Sequence, residues 1–218
     1  MDAALPSGAT SHDFFHRARV RLTLEVPPAL DDPTVEAKRG DLDLDPAMWE
    51  QAGVKATRPA AVLVPVVDRS EPAVLLTLRT ELPSHPGQIA FPGGKIEPQD
   101  RSPADAALRE AAEEIGLARA LIEPIGYLDL YLTFSGFRIL PTVARVAPDY
   151  KLVLSEREVA DAFEVPLTFL MDVQNHALHS RDWKGVTRRY YAMPFGERYI
   201  WGVTAGILRN LYERIYEG

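Results

Sequence analysis

Three carboxylates, Glu110, Glu113 and Glu114, crowd a five-residue window of this chain. On a helix, residues three and four apart are neighbours, so Glu110 faces both of the others. A like-charged pair at that spacing costs about 0.2–0.5 kcal/mol unless a counter-ion is present. Donors that are all oxygen select hard cations, so the cluster points to Mg²⁺ or Mn²⁺. Arg109 precedes the cluster and can pair with Glu113, orienting a carboxylate rather than binding substrate. Just upstream stands Phe91-Pro92-Gly93-Gly94, where paired glycines let the backbone turn tightly and approach a ligand closely.

The carboxylates need a helix, and the local sequence supplies one. Ser102 suits the N-cap and Pro103 the first helical position, where no N–H is required. Asp105 makes a weaker capping box, and Gly116 suits a left-handed stop. The helix therefore runs from about Pro103 to Ile115, with Leu108, Ala111, Ala112 and Ile115 as its apolar face. Residues 60–67 and 73–79 are apolar enough for central strands. Residues 124–134 and 137–146 read as a β-hairpin around Phe134-Ser135-Gly136. Ser155 is placed to cap a short helix over residues 156–163. Residues 176–183 and 186–193 form a second hairpin about Lys184-Gly185. A last helix, about Tyr199 to Tyr216, buries Val203, Ile207, Leu211 and Ile215, with Trp201 as a core residue near its start. Residues 13–26 fit either a helix (Phe14, Phe15, Ala18) or a strand (Val20, Leu22, Leu24, Val26). Residues 27–59 read as loops with short helical turns.

The segment from Phe91 to Leu117 resembles the Nudix box, the signature of hydrolases that cleave a nucleoside diphosphate linked to another moiety. Gly94, then Arg109-Glu110-Ala111-Ala112-Glu113-Glu114 and Gly116-Leu117, match that pattern. Asp100 stands where the family has Glu, and eight residues rather than seven separate it from Arg109, which leaves Asp100 without an assigned role. A second motif overlaps the first. Leu75-Leu76-Thr77, Arg79, Gly87 and Phe91 to Gly94 resemble the signature of coenzyme A diphosphatases. The spacer is one residue shorter than that signature, and Pro83, Ser84 and His85 replace its Arg.

The resemblance implies an α/β fold, the Nudix α/β/α sandwich with a mixed β-sheet between helices. It implies metal held by Glu110, Glu114 and the Gly94 carbonyl, with Glu113 shared or supporting. Arg79, with its guanidinium fork, Lys95 and His85 become the residues expected to meet an anionic substrate. The general base is open between Glu113, Glu156, Glu158 and Glu164; Glu158 is preferred for its place in the acidic stretch after the hairpin. The implied reaction is hydrolysis of coenzyme A or its thioesters at the diphosphate. Another nucleoside diphosphate substrate, such as ADP-ribose or a dinucleotide, is the alternative. A catalytically dead ligand sensor is a third reading, disfavoured because Arg109, Glu110, Glu113 and Glu114 are all intact.

The remaining features agree. The 218 residues are 46% hydrophobic, which suits one domain over residues 13–218 behind a loose stretch, 1–12. The absence of cysteine excludes disulfides and zinc thiolates and suits the cytoplasm. No apolar run resembles a signal peptide or a membrane span. A net charge of −7 argues against nucleic-acid partners but not against a polyphosphate. A small-molecule substrate and a monomer or homodimer are expected. His176 and His179 lie three apart in a strand, so they point to opposite faces and take a surface role rather than binding metal. Arg188 and Arg189 beside Tyr190 and Tyr191 read as ordinary strand residues.

Overall fold

The computed structural model describes residues 10–35, 37, 39–41, 43–44, 57–80, 87–183 and 186–217. The ambiguity near the N-terminus resolves as helix α1, Ser11–Arg21, capped by the Thr10 hydroxyl, which accepts from the Asp13 N–H. It begins inside the stretch expected to be loose. Phe14, Phe15 and Ala18 are buried, and the chain beyond Arg21 is extended with Leu24 exposed.

Strands β1 (Arg39–Gly40), β2 (Arg58–Val67), β3 (Ala73–Arg79), β4 (Ile89–Ala90) and β5 (Gly93–Lys95) precede helix α2, Pro103–Ile115. Then come β6 (Ile122–Tyr127), β7 (Tyr131–Leu132), β8 (Phe137–Val146) and β9 (Val159–Pro166). These nine strands form one mixed sheet with the path β1-β7-β8-β2-β3-β4; β5 also pairs with β2, β6 with β8 and β9 with β3. The expected central hairpin is present, its first arm divided into β6 and β7, both antiparallel to β8.

β2 is apolar almost throughout because both of its faces are covered. Ala61, Leu63 and Val67 pack with Ala106, Ala107, Ala111 and Ile115 of α2. Val64 and Val66 face the opposite layer with Phe14 and Phe15 of α1. The last helix, α4 (Val203–Tyr212), lies in that second layer through Ile207, Leu208 and Leu211. A mixed sheet between helices is thus the observed α/β architecture. Each fully buried Leu, Val or Ile here contributes about 1.5–3 kcal/mol relative to exposure.

The sheet forks. β2 and β3 pair over Val66–Val74 and Val67–Ala73 and then part. Along the rest of β2, β5 takes the vacated edge, setting Gly94 opposite Ala61. Along the rest of β3, β4 does the same, with Ala90 opposite Thr77. Phe91 and Pro92 bridge the two prongs, and the Pro92 carbonyl accepts from the Leu63 N–H at 2.8 Å.

Two expected elements are corrected. Residues 156–163 are not a helix: Glu156–Glu158 form one turn closed on the Ser155 carbonyl, and Val159 opens β9. The local helix-start signals lose to cross-strand pairing, which runs antiparallel from Ala73–Pro166 to Arg79–Val159. The last helix does not begin at Tyr199 either. A short helix α3 (Leu167–Leu170) leads to β10 (Ala177–Trp183), β11 (Val186–Phe195) and β12 (Arg198–Trp201), a separate antiparallel sheet. Trp201 therefore sits on a strand, and Gly202 at φ 63° makes the break before α4. The tip expected at Lys184-Gly185 lies outside the described residues.

Candidate active site

Helix α2 is positioned as its sequence requires. The Ser102 hydroxyl accepts from the Asp105 N–H at 3.1 Å, Pro103 opens the helix and Gly116 closes it at φ 67°. Small residues on its buried face let the helix lie close to β2 and β5. The closeness shows at the glycines. A Cβ on Gly94 would lie 2.5 Å from a Glu110 carboxylate oxygen, and one on Gly93 would lie 2.5 Å from the Ala61 carbonyl. Glu110 therefore rests directly on the Gly94 backbone. The Gly93 N–H donates to Glu114 at 3.2 Å.

Arg109 is held on three sides. It forks onto Asp100, with Nε and Nη2 donating to the two carboxylate oxygens at 3.0 Å each. Nη1 donates to Glu110 at 2.9 Å and to Glu113 at 3.1 Å. Nη2 also meets the Lys95 carbonyl at 3.1 Å. Asp100 is the residue whose part the sequence did not reveal: the longer loop brings its carboxylate back to Arg109, whose hydrogen bonds hold it below the usual carboxylate range. Arg109 itself is shifted upward, chiefly by Asp100.

The three glutamates differ sharply. Glu113 is exposed and turned to Arg109. Glu110 is half-buried, and desolvation raises its pKa, with the charges of Glu113 and Glu158 adding to the rise. Glu114 is 3% exposed, and its pKa is pushed up to about 7 by burial first, then by Glu110 and Glu158. Arg79 offsets part of this from 3.6 Å.

The elements explain why Arg79 and Glu158 stand here. Arg79 ends β3, where its N–H donates to the Gln88 carbonyl at 2.9 Å. Thr80 then grips the turn before β9: its N–H donates to the Glu158 carbonyl at 3.1 Å and its hydroxyl to the Arg157 carbonyl at 2.9 Å. Glu164 is elsewhere, paired with Arg69 at 2.7 Å and with the Tyr150 hydroxyl. Glu156 lies exposed in the turn, Lys95 has an exposed side chain, and His85 lies outside the described residues. His176 corrects the expected surface role: it is buried, with Nε2 2.7 Å from the Leu170 carbonyl. His179 is exposed as expected.

Among the described residues, no three Asp, Glu or His side chains already converge on one point. That is compatible with Mg²⁺, which keeps several waters and takes one or two protein carboxylates. The donor set is hard oxygen, and two desolvated carboxylates on successive turns lack a full countercharge. The residues fit a divalent cation.

The sequence pattern of the NUDIX domain matches residues 57–184. The chain belongs to the Nudix family. It is a Nudix hydrolase, a class that acts on nucleoside diphosphate derivatives and generally uses divalent metal ions. Two relatives carry the name Nudix hydrolase NudL and are described as uncharacterized. The one from Yersinia enterocolitica is 40% identical over 157 residues, covering 72% of this chain and 80% of the relative. The one from Enterobacter sp. (strain 638) is 39% identical over 155 residues, covering 71% and 81%. The solved structure of a NUDIX hydrolase from Alicyclobacillus acidocaldarius is similar with a TM-score of 0.49 and 20% identity, over 75% of this chain and 95% of its own. No helix among the described residues is long and apolar enough to cross a membrane.

Proposed function

We propose that this Nudix hydrolase cleaves the diphosphate of coenzyme A or its thioesters, giving 3′,5′-ADP and 4′-phosphopantetheine or its acyl derivative. The observation that carries the reaction is the pair Glu110 and Glu114, desolvated against Gly93-Gly94 with Arg79 beside them. The substrate reading rests on Leu75-Leu76-Thr77, Arg79 and Gly87, the residues that resemble the coenzyme A diphosphatase signature.

Glu110 and Glu114 would hold Mg²⁺ or Mn²⁺, with the Gly94 carbonyl as a further donor and Glu113 in support. When bound, the metal neutralises diphosphate oxygens and makes water more acidic. Arg109, locked by Asp100, fixes the rotamer of Glu110. Arg79 turns its fork from Glu114 to a phosphate oxygen once Glu114 is otherwise engaged. Glu158 takes the proton of the attacking water; the water oxygen bonds to phosphorus as the anhydride P–O bond breaks. Lys95 and His85 are assigned to the anionic ends of the substrate.

Incubation with Mg²⁺ or Mn²⁺ and a panel of coenzyme A, acetyl coenzyme A, ADP-ribose and dinucleotides, with products separated by chromatography, tests the reading. Fastest cleavage of the coenzyme A compounds is expected. Preference for ADP-ribose would sink the coenzyme A assignment, and tight binding without turnover would point to a sensor. Glu114→Gln should cut turnover by about 10²-fold or more without lowering Tm. Near-wild-type turnover in that variant would overturn the metal assignment.

A further inference from the structure

Glu158 stands on a turn that has no core of its own. Leu152 and Leu154 pack into the α2 layer and Val159 is buried, but Glu156, Arg157 and Glu158 between them are exposed. A segment with no buried apolar side chain opens locally at little cost, so its hydrogen bonds decide where it stands. Those bonds run to two elements. On one side the Val153 and Ser155 N–H groups donate to the Ile115 and Glu114 carbonyls at 2.9 and 2.8 Å, at the end of α2. The approach there is close, since a Cβ on Gly116 would lie 2.9 Å from the Val153 backbone N and O. The turn then closes on itself, with the Glu158 and Val159 N–H groups both donating to the Ser155 carbonyl at 2.9 Å.

On the other side stands Thr80. The register of β3 on β9 shifts between Leu78 and Arg79, skipping Ala160. A bulge of this kind re-aims a side chain and locally disrupts the ladder. Thr80 takes up the pairing again beyond it. Its N–H donates to the Glu158 carbonyl at 3.1 Å, and its hydroxyl donates to the Arg157 carbonyl at 2.9 Å. Among the described residues, no other side chain hydrogen-bonds the turn from Ser155 to Glu158. Burial first, and then neighbouring carboxylates that include Glu158, raise the pKa of Glu110 and Glu114, so the Glu158 charge reaches both. A general base acts only within hydrogen-bond reach of the proton it takes. We infer that Thr80 is a positioning residue: its hydroxyl fixes the Glu158 turn beside Arg79, so that the carboxylate taking the water proton and the guanidinium meeting the phosphate are held as one unit. This inference rests on the proposed role of Glu158 as the base.

Thr80→Val keeps the branched shape and the backbone N–H and removes only the hydroxyl. It should lower kcat by about tenfold or more with KM nearly unchanged, because a base set slightly wrong weakens the chemical step and not the binding. Thr80→Ala should match it, and Thr80→Ser, which restores the donor, should recover most of kcat. A second readout needs neither metal nor turnover. Without added metal, hydrogen exchange at the Glu158 and Val159 amides should quicken by about 2- to 13-fold in Thr80→Val, the net contribution of one hydrogen bond, with the β3–β9 ladder unchanged. Wild-type kcat in Thr80→Val and Thr80→Ala beside a crippled Glu158→Gln would overturn the inference alone, as would unchanged exchange at Glu158. Wild-type turnover in Glu158→Gln would instead reject Glu158 as the base, and the inference with it. Each variant is assayed on whichever of coenzyme A and ADP-ribose the wild type cleaves faster, so the outcome does not depend on the substrate assignment. No turnover of either by the wild type would reject the proposed reaction, and this role for Thr80 with it.

Discussion

At the scale of single residues, the site is a balance of buried charge. Glu114 has a pKa near 7 against 4.5 for an ordinary glutamate. The folded value lies above the unfolded one, so this group favours the fold below about pH 4.5 and loses that contribution as pH rises through 7. A metal needs the carboxylate form. The Tm increase produced by Mg²⁺ should therefore be larger at pH 8 than at pH 5.5. An equal increase at both values, by calorimetry, would remove Glu114 from the metal site. Asp100 acts at one remove. Asp100→Ala leaves Arg109 without its fork on Asp100, and if Glu110 holds metal as proposed, loss of such an outer partner should cost about 10–100-fold in metal affinity or activity. Titrating Mn²⁺ into the variant measures that loss, and Asp100→Glu should recover part of it. The box residues were legible from sequence because their spacing is local to one helix. The part played by Asp100 was not, because a loop one residue longer changes where a side chain one methylene shorter arrives.

At the scale of elements, close approach decides what each position tolerates. Gly94→Ala would drive a Cβ into the Glu110 carboxylate, a flexible side chain that can move aside. It should lower kcat by about tenfold or more, with a small change in Tm. Gly93→Ala drives its Cβ into the Ala61 carbonyl, which is backbone and cannot yield cheaply. It should destabilise by about 1–3 kcal/mol. A thermal melt that ranks Gly94→Ala as the less stable of the two would contradict this reading of the approach. The helix α2 and the strands β2 and β3 were legible because caps and apolar runs are written locally. Residues 156–163 misled because Ser155 and two following glutamates imitate a helix start, while the strand β3 that claims them lies far away in sequence. Likewise the apolar spacing of Val203 to Ile215 holds, but Gly202 cuts the helix short of Trp201.

At the scale of the molecule, the second layer has its own pH dependence. Burial holds the His176 pKa below 6.5, and its Nδ1 has no hydrogen-bond partner among the described residues. Protonation is therefore resisted in the fold. The contribution is present above pH 6.5 and is lost as pH falls through the lower folded value. His176→Asn should flatten the fall in Tm between pH 6.5 and 5; an unchanged slope would assign it to other groups. The forked sheet bears on the whole molecule in another way. Glu110 and Glu114 stand on the helix that lies on one prong, while Arg79 and Glu158 belong to the other. Their backbones join at Val66–Val67 and Ala73–Val74, at the closed end. The two prongs stand like the jaws of a pair of pliers, with that joint as the pivot. On the proposed function, the gap for a diphosphate would be set by packing at the pivot, so a change of side-chain volume there would alter the bite without touching a group proposed to meet the substrate.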